Sequence, residues 1–128
     1  MTYLLDTCTF VWLASAPERL SKDATRVINN QASTLVLSDV TVWEICLKWQ
    51  SGKLKLPEPA KTWCESQAGI WRLERLSITR SAMYRTTELA HHHRDPFDRL
   101  LVAQSLEENI SLITPDAHIA AYPVSIIW

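Results

Sequence analysis

Glycine is nearly missing. The 128-residue chain has two, Gly52 and Gly69. Neither GxGxxG nor GxxxxGK can be built from them, which excludes a glycine loop cradling a dinucleotide or a nucleoside triphosphate. Cysteine is scarce and odd in number. Cys8, Cys46 and Cys64 contain no CxxC pair, so neither a disulfide framework nor a zinc knuckle is indicated, and reduced, buried thiols in a cytoplasmic protein are expected. No apolar run approaches the ~20 residues of a membrane span. The N-terminus meets an acid at Asp6, without the charged start and long apolar stretch of a signal peptide. Neither charge is in excess. Thirteen Lys and Arg stand against 14 Asp and Glu, so the chain is no simple basic clamp for nucleic acid. That balance still leaves room for a site that recruits its positive charge as metal ions.

What is present is enough apolar material for one core. Hydrophobic residues make up 47% and charged residues 21%, a globular composition whose length suits a single domain over residues 1–128. Short apolar runs at Tyr3-Leu4-Leu5, Leu35-Val36-Leu37, Leu112-Ile113 and Val124 to Ile127 suit strands buried on both faces, and Trp71, Leu73 and Leu76 hint at a weaker fifth. Between them, helical patterns span 22–31, 39–50, 58–68, 79–91, 96–108 and 115–121. Alternation of strand and helix predicts an α/β fold with a mainly parallel sheet and helices on both faces. The clearest loop is Gly52 to Pro59.

In such sheets, ligand sites form beyond the carboxyl ends of the strands. Asp6 directly follows the first run, and Asp116 follows Leu112-Ile113 within Ile113-Thr114-Pro115-Asp116. Ser38 and Asp39 follow Leu37, and Glu44 lies on the next helix. That helix reads as apolar nearly all round and hence buried, with Thr41, Glu44 and Lys48 as a narrow polar stripe. Its carboxylate therefore needs a partner: Lys48 at i+4, a capping box with Thr41, or a catalytic site. Asp95-Pro96-Phe97-Asp98 opens another helix, with Asp95 as N-cap and Pro96 at the first position. Asp98 points at the partly apolar wall of Leu101 and Val102. Asp116 has a similar helix-start reading, with Thr114 as N-cap. Asp95 has a sufficient structural job and Asp98 less clearly so; taken singly, each acid reads as structural rather than catalytic. Together, carboxylates crowded at one sheet edge would repel one another unless a cation sat among them. Ligation by carboxylates and water suits Mg²⁺ or Mn²⁺, which activate water and offset phosphoryl charge.

These residues carry a resemblance. Leu4-Leu5-Asp6-Thr7, Leu37-Ser38 leading to Val42-Trp43-Glu44-Ile45, Arg94-Asp95-Pro96-Phe97-Asp98-Arg99-Leu100-Leu101-Val102-Ala103-Gln104, and Leu112-Ile113-Thr114-Pro115-Asp116 follow one another in the order found in PIN domains. The chain resembles that family, and in particular the VapC-like toxins of bacterial type II toxin–antitoxin pairs. The resemblance implies a three-layer α/β/α fold, a homodimer, a cognate antitoxin and an endoribonuclease dependent on Mg²⁺ or Mn²⁺ that leaves a 5′-phosphate. It also implies that Asp6, Glu44, Asp98 and Asp116 form the acidic, metal-holding quartet. Ser38, Thr7 and Thr114 look like hydroxyls that orient the carboxylates. Arg99 or Lys48 would steer phosphate or serve as an ion-pair partner.

The remaining conspicuous features have plainer readings. His91-His92-His93 is expected at a solvated helix end, with RNA contact the alternative. Trp43, Trp49 and Trp63 are expected in the core or at a dimer surface. Trp12 and Trp71 are expected to pack, with base stacking or, for Trp12, partner contact as alternatives. Two rival functions remain at this stage. One is a non-catalytic PIN-fold module that only binds a partner. The other is an aspartate-dependent phosphatase, which ordinarily needs a second acid two residues after the first, where this chain has Cys8.

Overall fold

A computed structural model describes all residues, 1–128. The short apolar runs form four strands of one sheet, β1 (Thr2–Leu5), β2 (Thr34–Ser38), β4 (Ser111–Ile113) and β5 (Ile126–Ile127), and the weaker fifth segment supplies the edge strand β3 (Glu74–Leu76), whose two charged residues are exposed. All neighbours are parallel and the order is β3-β2-β1-β4-β5. Leu4 on the central strand pairs in register with Val36 on one side and Leu112 on the other. Parallel pairing with covered faces explains why these runs are continuously apolar rather than alternating.

The helices are α1 (Thr7–Ser15), α2 (Lys22–Asn29), α3 (Asp39–Gln50), α4 (Ala60–Ile70), α5 (Arg80–Thr86), α6 (Pro96–Glu108) and α7 (Ala117–Ala120). Successive strand residues face opposite ways, so the sheet divides two cores. Tyr3, Leu5, Leu35, Leu37 and Ile113 pack with Phe10, Ile45 and Trp63 on one side. Leu4, Val36 and Leu112 pack with Val40, Leu101, Val102 and Ile119 on the other. Helices over both faces make the three-layer α/β/α arrangement.

Three elements depart from the sequence expectation. Helix α1 is additional. Its residues, Thr-Cys-Thr-Phe-Val-Trp-Leu-Ala-Ser, lack a polar stripe, and it starts directly after β1 because the Asp6 carboxylate accepts the Thr9 N–H at 2.7 Å. Helix α5 ends at Thr86 instead of running to residue 91. Beyond it, Thr87, Glu88 and Leu89 donate to the Tyr84, Arg85 and Thr86 carbonyls in tighter i→i+3 turns, and the Arg99 guanidinium holds this arrangement by taking the carbonyls of Thr86 (2.7 Å), Leu89 (3.3 Å) and Ala90 (2.9 Å). Helix α3 has the expected bounds but is not buried all round: Trp43 is 56% and Leu47 41% exposed. Its buried stripe is Val40, Thr41, Glu44 and Ile45, so two polar residues, Thr41 and Glu44, face inward.

Candidate active site

The chain moves outward from β1 through β2 to β3, then returns to place β4 and β5 on the opposite side. The crevice between β1 and β4 is therefore the switch point where open parallel sheets bind ligands. Asp6 and Asp116 emerge there. The Asp6 N–H and the Thr9 hydroxyl both donate to the Ile113 carbonyl, at 3.2 and 2.8 Å, tying the start of α1 to β4. The Thr114 hydroxyl donates to Asp6 Oδ2 at 2.5 Å. Asp6 is 3% exposed. Burial pushes its carboxyl above the usual range, against the hydrogen bonds from Thr114 and Thr9.

Glu44 enters from α3, and both of its oxygens are engaged. Oε1 accepts the Thr7 hydroxyl at 2.6 Å, and Oε2 accepts the Lys48 ammonium at 2.5 Å. The i,i+4 pair is thus formed. The Thr41 capping box is not: Ser38 caps α3, and the Thr41 hydroxyl lies 3.2 Å from that of Thr7. Hydrogen bonding to Glu44 holds the Lys48 ammonium above its ordinary pKa, against partial desolvation.

Asp95 caps α6 as its sequence suggests, accepting the N–H groups of Phe97 (2.8 Å) and Asp98 (3.4 Å). Asp98 has no comparable backbone duty. Burial, followed by the negative charge of Asp95, pushes its carboxyl up to about 7, with His93 pulling the other way. Asp116, rather than Thr114, caps α7: its Oδ1 accepts the His118 N–H at 2.8 Å, and Pro115 stands before the helix. Partial burial raises the Asp116 carboxyl, but hydrogen bonds from His93 and His118 outweigh it and leave it below the usual range.

Asp6, Glu44, Asp98 and Asp116 all line one cleft of about 430 Å³, with Thr7, Cys8, Trp12, Lys48 and Asp95 among the other walls. Thr7 and Thr114 touch carboxylates as expected. Ser38 does not: its hydroxyl donates to Gln104 Oε1 at 2.5 Å, away from the acids. Arg99 is a structural residue, since its guanidinium also meets the His93 carbonyl (3.4 Å) and the Tyr122 hydroxyl (3.1 Å). The Cys8 thiol, pushed up to about 12 by burial and then by Asp6, stays protonated and presents no thiolate to the cleft.

The residue that sequence reasoning missed is His93. His91 and His92 are exposed, but the tract is not a helix end. The His93 ring turns inward, with Nε2 2.8 Å from Asp116 Oδ2 and 3.1 Å from Asp98 Oδ2. One donor atom each from His93, Asp98 and Asp116 falls within 4.8 Å of the others, a spacing that can hold a metal ion. The donor set is mainly carboxylate oxygen, and it includes a carboxyl crowded by Asp95, Glu44 and Asp6. It fits a hard divalent cation. No directional cue singles out His93 in the residue pattern, because an Asp-Pro helix start does not say which way the preceding ring turns.

The fold and cleft are those of an α/β protein with an acid-lined site at its switch point, and the sequence comparison makes the class specific. The PIN domain family model matches residues 3–124, and the chain belongs to that family. It is similar to Ribonuclease VapC22 of Mycobacterium tuberculosis (strain ATCC 25618 / H37Rv), at 27% identity over 122 residues, 94% of this chain and 92% of that protein. The fold is also that of VapBC2 from Rickettsia felis bound to a DNA fragment from its promoter (TM-score 0.72, 18% identity, 98% of this chain and 97% of the other). DNA-bound VapBC from Salmonella typhimurium is comparably similar (TM-score 0.70, 19% identity, 98% and 96%).

Proposed function

We propose that this chain is a metal-dependent endoribonuclease acting in the cytoplasm as the toxin of a type II toxin–antitoxin pair. The observation that carries the reading is the meeting of four carboxylates from separate segments, Asp6, Glu44, Asp98 and Asp116, around one cleft at the sheet's switch point. Likeness to a protein named as a ribonuclease supports the reaction class. Likeness to VapBC complexes supports an antitoxin partner.

Asp6, Asp98 and Asp116 would hold Mg²⁺ or Mn²⁺, with Glu44 completing the set. The ion, when bound, supplies Lewis acidity: it lowers the pKa of water and offsets charge on the phosphoryl group. The chain's own residues do the positioning. Thr9 and Thr114 fix both oxygens of Asp6, and Thr7 and Lys48 fix both of Glu44. Lys48 is 45% exposed at the cleft, and its remaining ammonium protons are available to a phosphate. The loop after α3 folds back so that the N–H groups of Lys53 and Leu54 both meet the Lys48 carbonyl. Leu54 enters the cleft wall while Lys53 and Lys55 remain exposed on either side. A polyanion thus meets positive charge at this rim before it meets the acids.

A homodimer is supported by an apolar surface around Trp43, which packs edge-on against Phe97 at 5.4 Å. Met83, 45% exposed, lies in a hollow with Pro96 and Leu100 beside that pair.

The test is sequencing of RNA 5′ ends after brief induction of the wild type and of Asp98→Asn, together with cleavage by the purified protein. New 5′-phosphate ends are expected with the wild type alone. EDTA should abolish cleavage and Mn²⁺ restore it. Growth arrest by Asp98→Asn equal to that of the wild type would favour a non-catalytic binding module instead.

A further inference from the structure

The 86–93 segment is secured with more hydrogen bonds than a surface loop requires. Arg99 spends its guanidinium on the carbonyls of Thr86, Leu89, Ala90 and His93 and on the Tyr122 hydroxyl. Tyr122, 3% exposed, donates to the Ala90 carbonyl at 2.7 Å and accepts the His93 N–H at 3.0 Å. These contacts fix the backbone at His93, and two further contacts fix its ring. The Asp95 N–H donates to Nδ1 at 3.0 Å, so Nδ1 presents a lone pair and the ring's proton lies at Nε2. Nε2 faces Asp116 Oδ2 and Asp98 Oδ2 at 2.8 and 3.1 Å. An Nε2 that carries hydrogen has no lone pair for a metal.

Resting on the metal-dependent reading above, we propose that His93 is a positioning residue of the ion site. Its Nε2–H is held by Asp116 Oδ2, with Asp98 Oδ2 3.1 Å from the same nitrogen, so that the ring keeps the two carboxylates facing one another and does not itself bind the ion. Asp116 has a second anchor in the His118 N–H. Among the hydrogen-bonding and ionic contacts of the Asp98 carboxylate, His93 is the single partner. Without His93, the two like charges would separate, and the cost of bringing them together would fall on ion binding.

The experiment is titration of Mn²⁺ into the purified full chain, followed by the loss of the free-ion EPR signal, with electron spin-echo modulation of the bound ion. His93→Gln keeps a side-chain donor and an acceptor, whereas His93→Ala keeps neither. The wild type should bind Mn²⁺ without the ¹⁴N coupling of a directly coordinated imidazole. His93→Gln should bind within about threefold of the wild type, and His93→Ala should bind at least about tenfold more weakly, roughly the lower bound for loss of a group that orients metal ligands. Directly coordinated ¹⁴N in the wild type would overturn the proposal, and that measurement needs no variant to fold. Equal affinity in the wild type and a folded His93→Ala protein would also overturn it while leaving the ion site intact. Absence of Mn²⁺ binding by the wild type would reject the metal-dependent reading, and this inference with it.

Discussion

Asp98 and Asp116 sit within one cluster yet are driven in opposite directions. Asp116 has a helix N–H and a histidine to stabilise its charge. Asp98 is the more buried and has other acids around it. The Asp98 carboxyl, at about 7, lies above its unfolded value of about 3.9. The folded chain therefore binds more protons than the unfolded chain between these values, and stability falls as pH rises through that window. Asp98→Asn in the metal-free protein should melt higher than the wild type at pH 8, by about 5 °C. The difference should close below about pH 4, where the wild-type carboxyl is protonated in both states. Saturating Mn²⁺ should shrink it from the other side by stabilising the wild type. Calorimetry across pH, with and without the ion, checks all three expectations. At this scale, Asp6, Asp98 and Asp116 were legible from their places after strands and at helix starts, and Glu44 from the polar stripe of an otherwise apolar helix. His93 was not, because three successive histidines carry no periodic signal and the ring's orientation depends on Asp116 and on a backbone held by Tyr122, both remote in sequence.

The elements most readable in sequence were those whose ends are marked by local chemistry. Ser38 before α3 and Asp95-Pro96 before α6 set those helices at their expected starts. Asn109, in the left-handed region at φ 52, closes α6. The end of α5 was illegible for the converse reason: its next carbonyls are diverted by a side chain from α6. Arg99→Ala should consequently cost about 1–3 kcal/mol in urea unfolding, since partly buried acceptors lose a charged donor. Arg99→Lys should recover less than half, because one ammonium cannot reproduce a fork that serves five acceptors. Amide exchange over residues 87–93 should accelerate in both variants. Helix α3 adds a different lesson. Its helical wheel correctly grouped Thr41, Glu44 and Lys48, but sequence alone could not tell that Thr41 and Glu44 face the interior with Lys48 reaching out at the cleft, while the flank bearing Trp43 and Leu47 is exposed.

For the whole molecule, parallel topology followed from continuous apolar runs separated by helices, whereas the order β3-β2-β1-β4-β5 is a tertiary fact that brings residues 6 and 116 together. The expectation of an interior or dimer role for the tryptophans divides by residue. Trp63 is 3% exposed in the core, while Trp43 and Trp49 are 56% and 40% exposed. Trp43→Glu should leave the melting temperature nearly unchanged and convert the proposed dimer to a monomer, as read by sedimentation velocity. Exposed apolar positions cost little to replace in an isolated subunit but much in a buried interface.

Asp6 has two duties on two different footings. Its grip on the first helix needs only an oxygen that accepts the Thr9 N–H, whereas its place in the acid cleft needs negative charge. An amide in its position meets the first demand and fails the second. If the proposed nuclease reading holds, one atom exchanged at a single carbon would silence the cleft while leaving the outline that a companion protein would recognise.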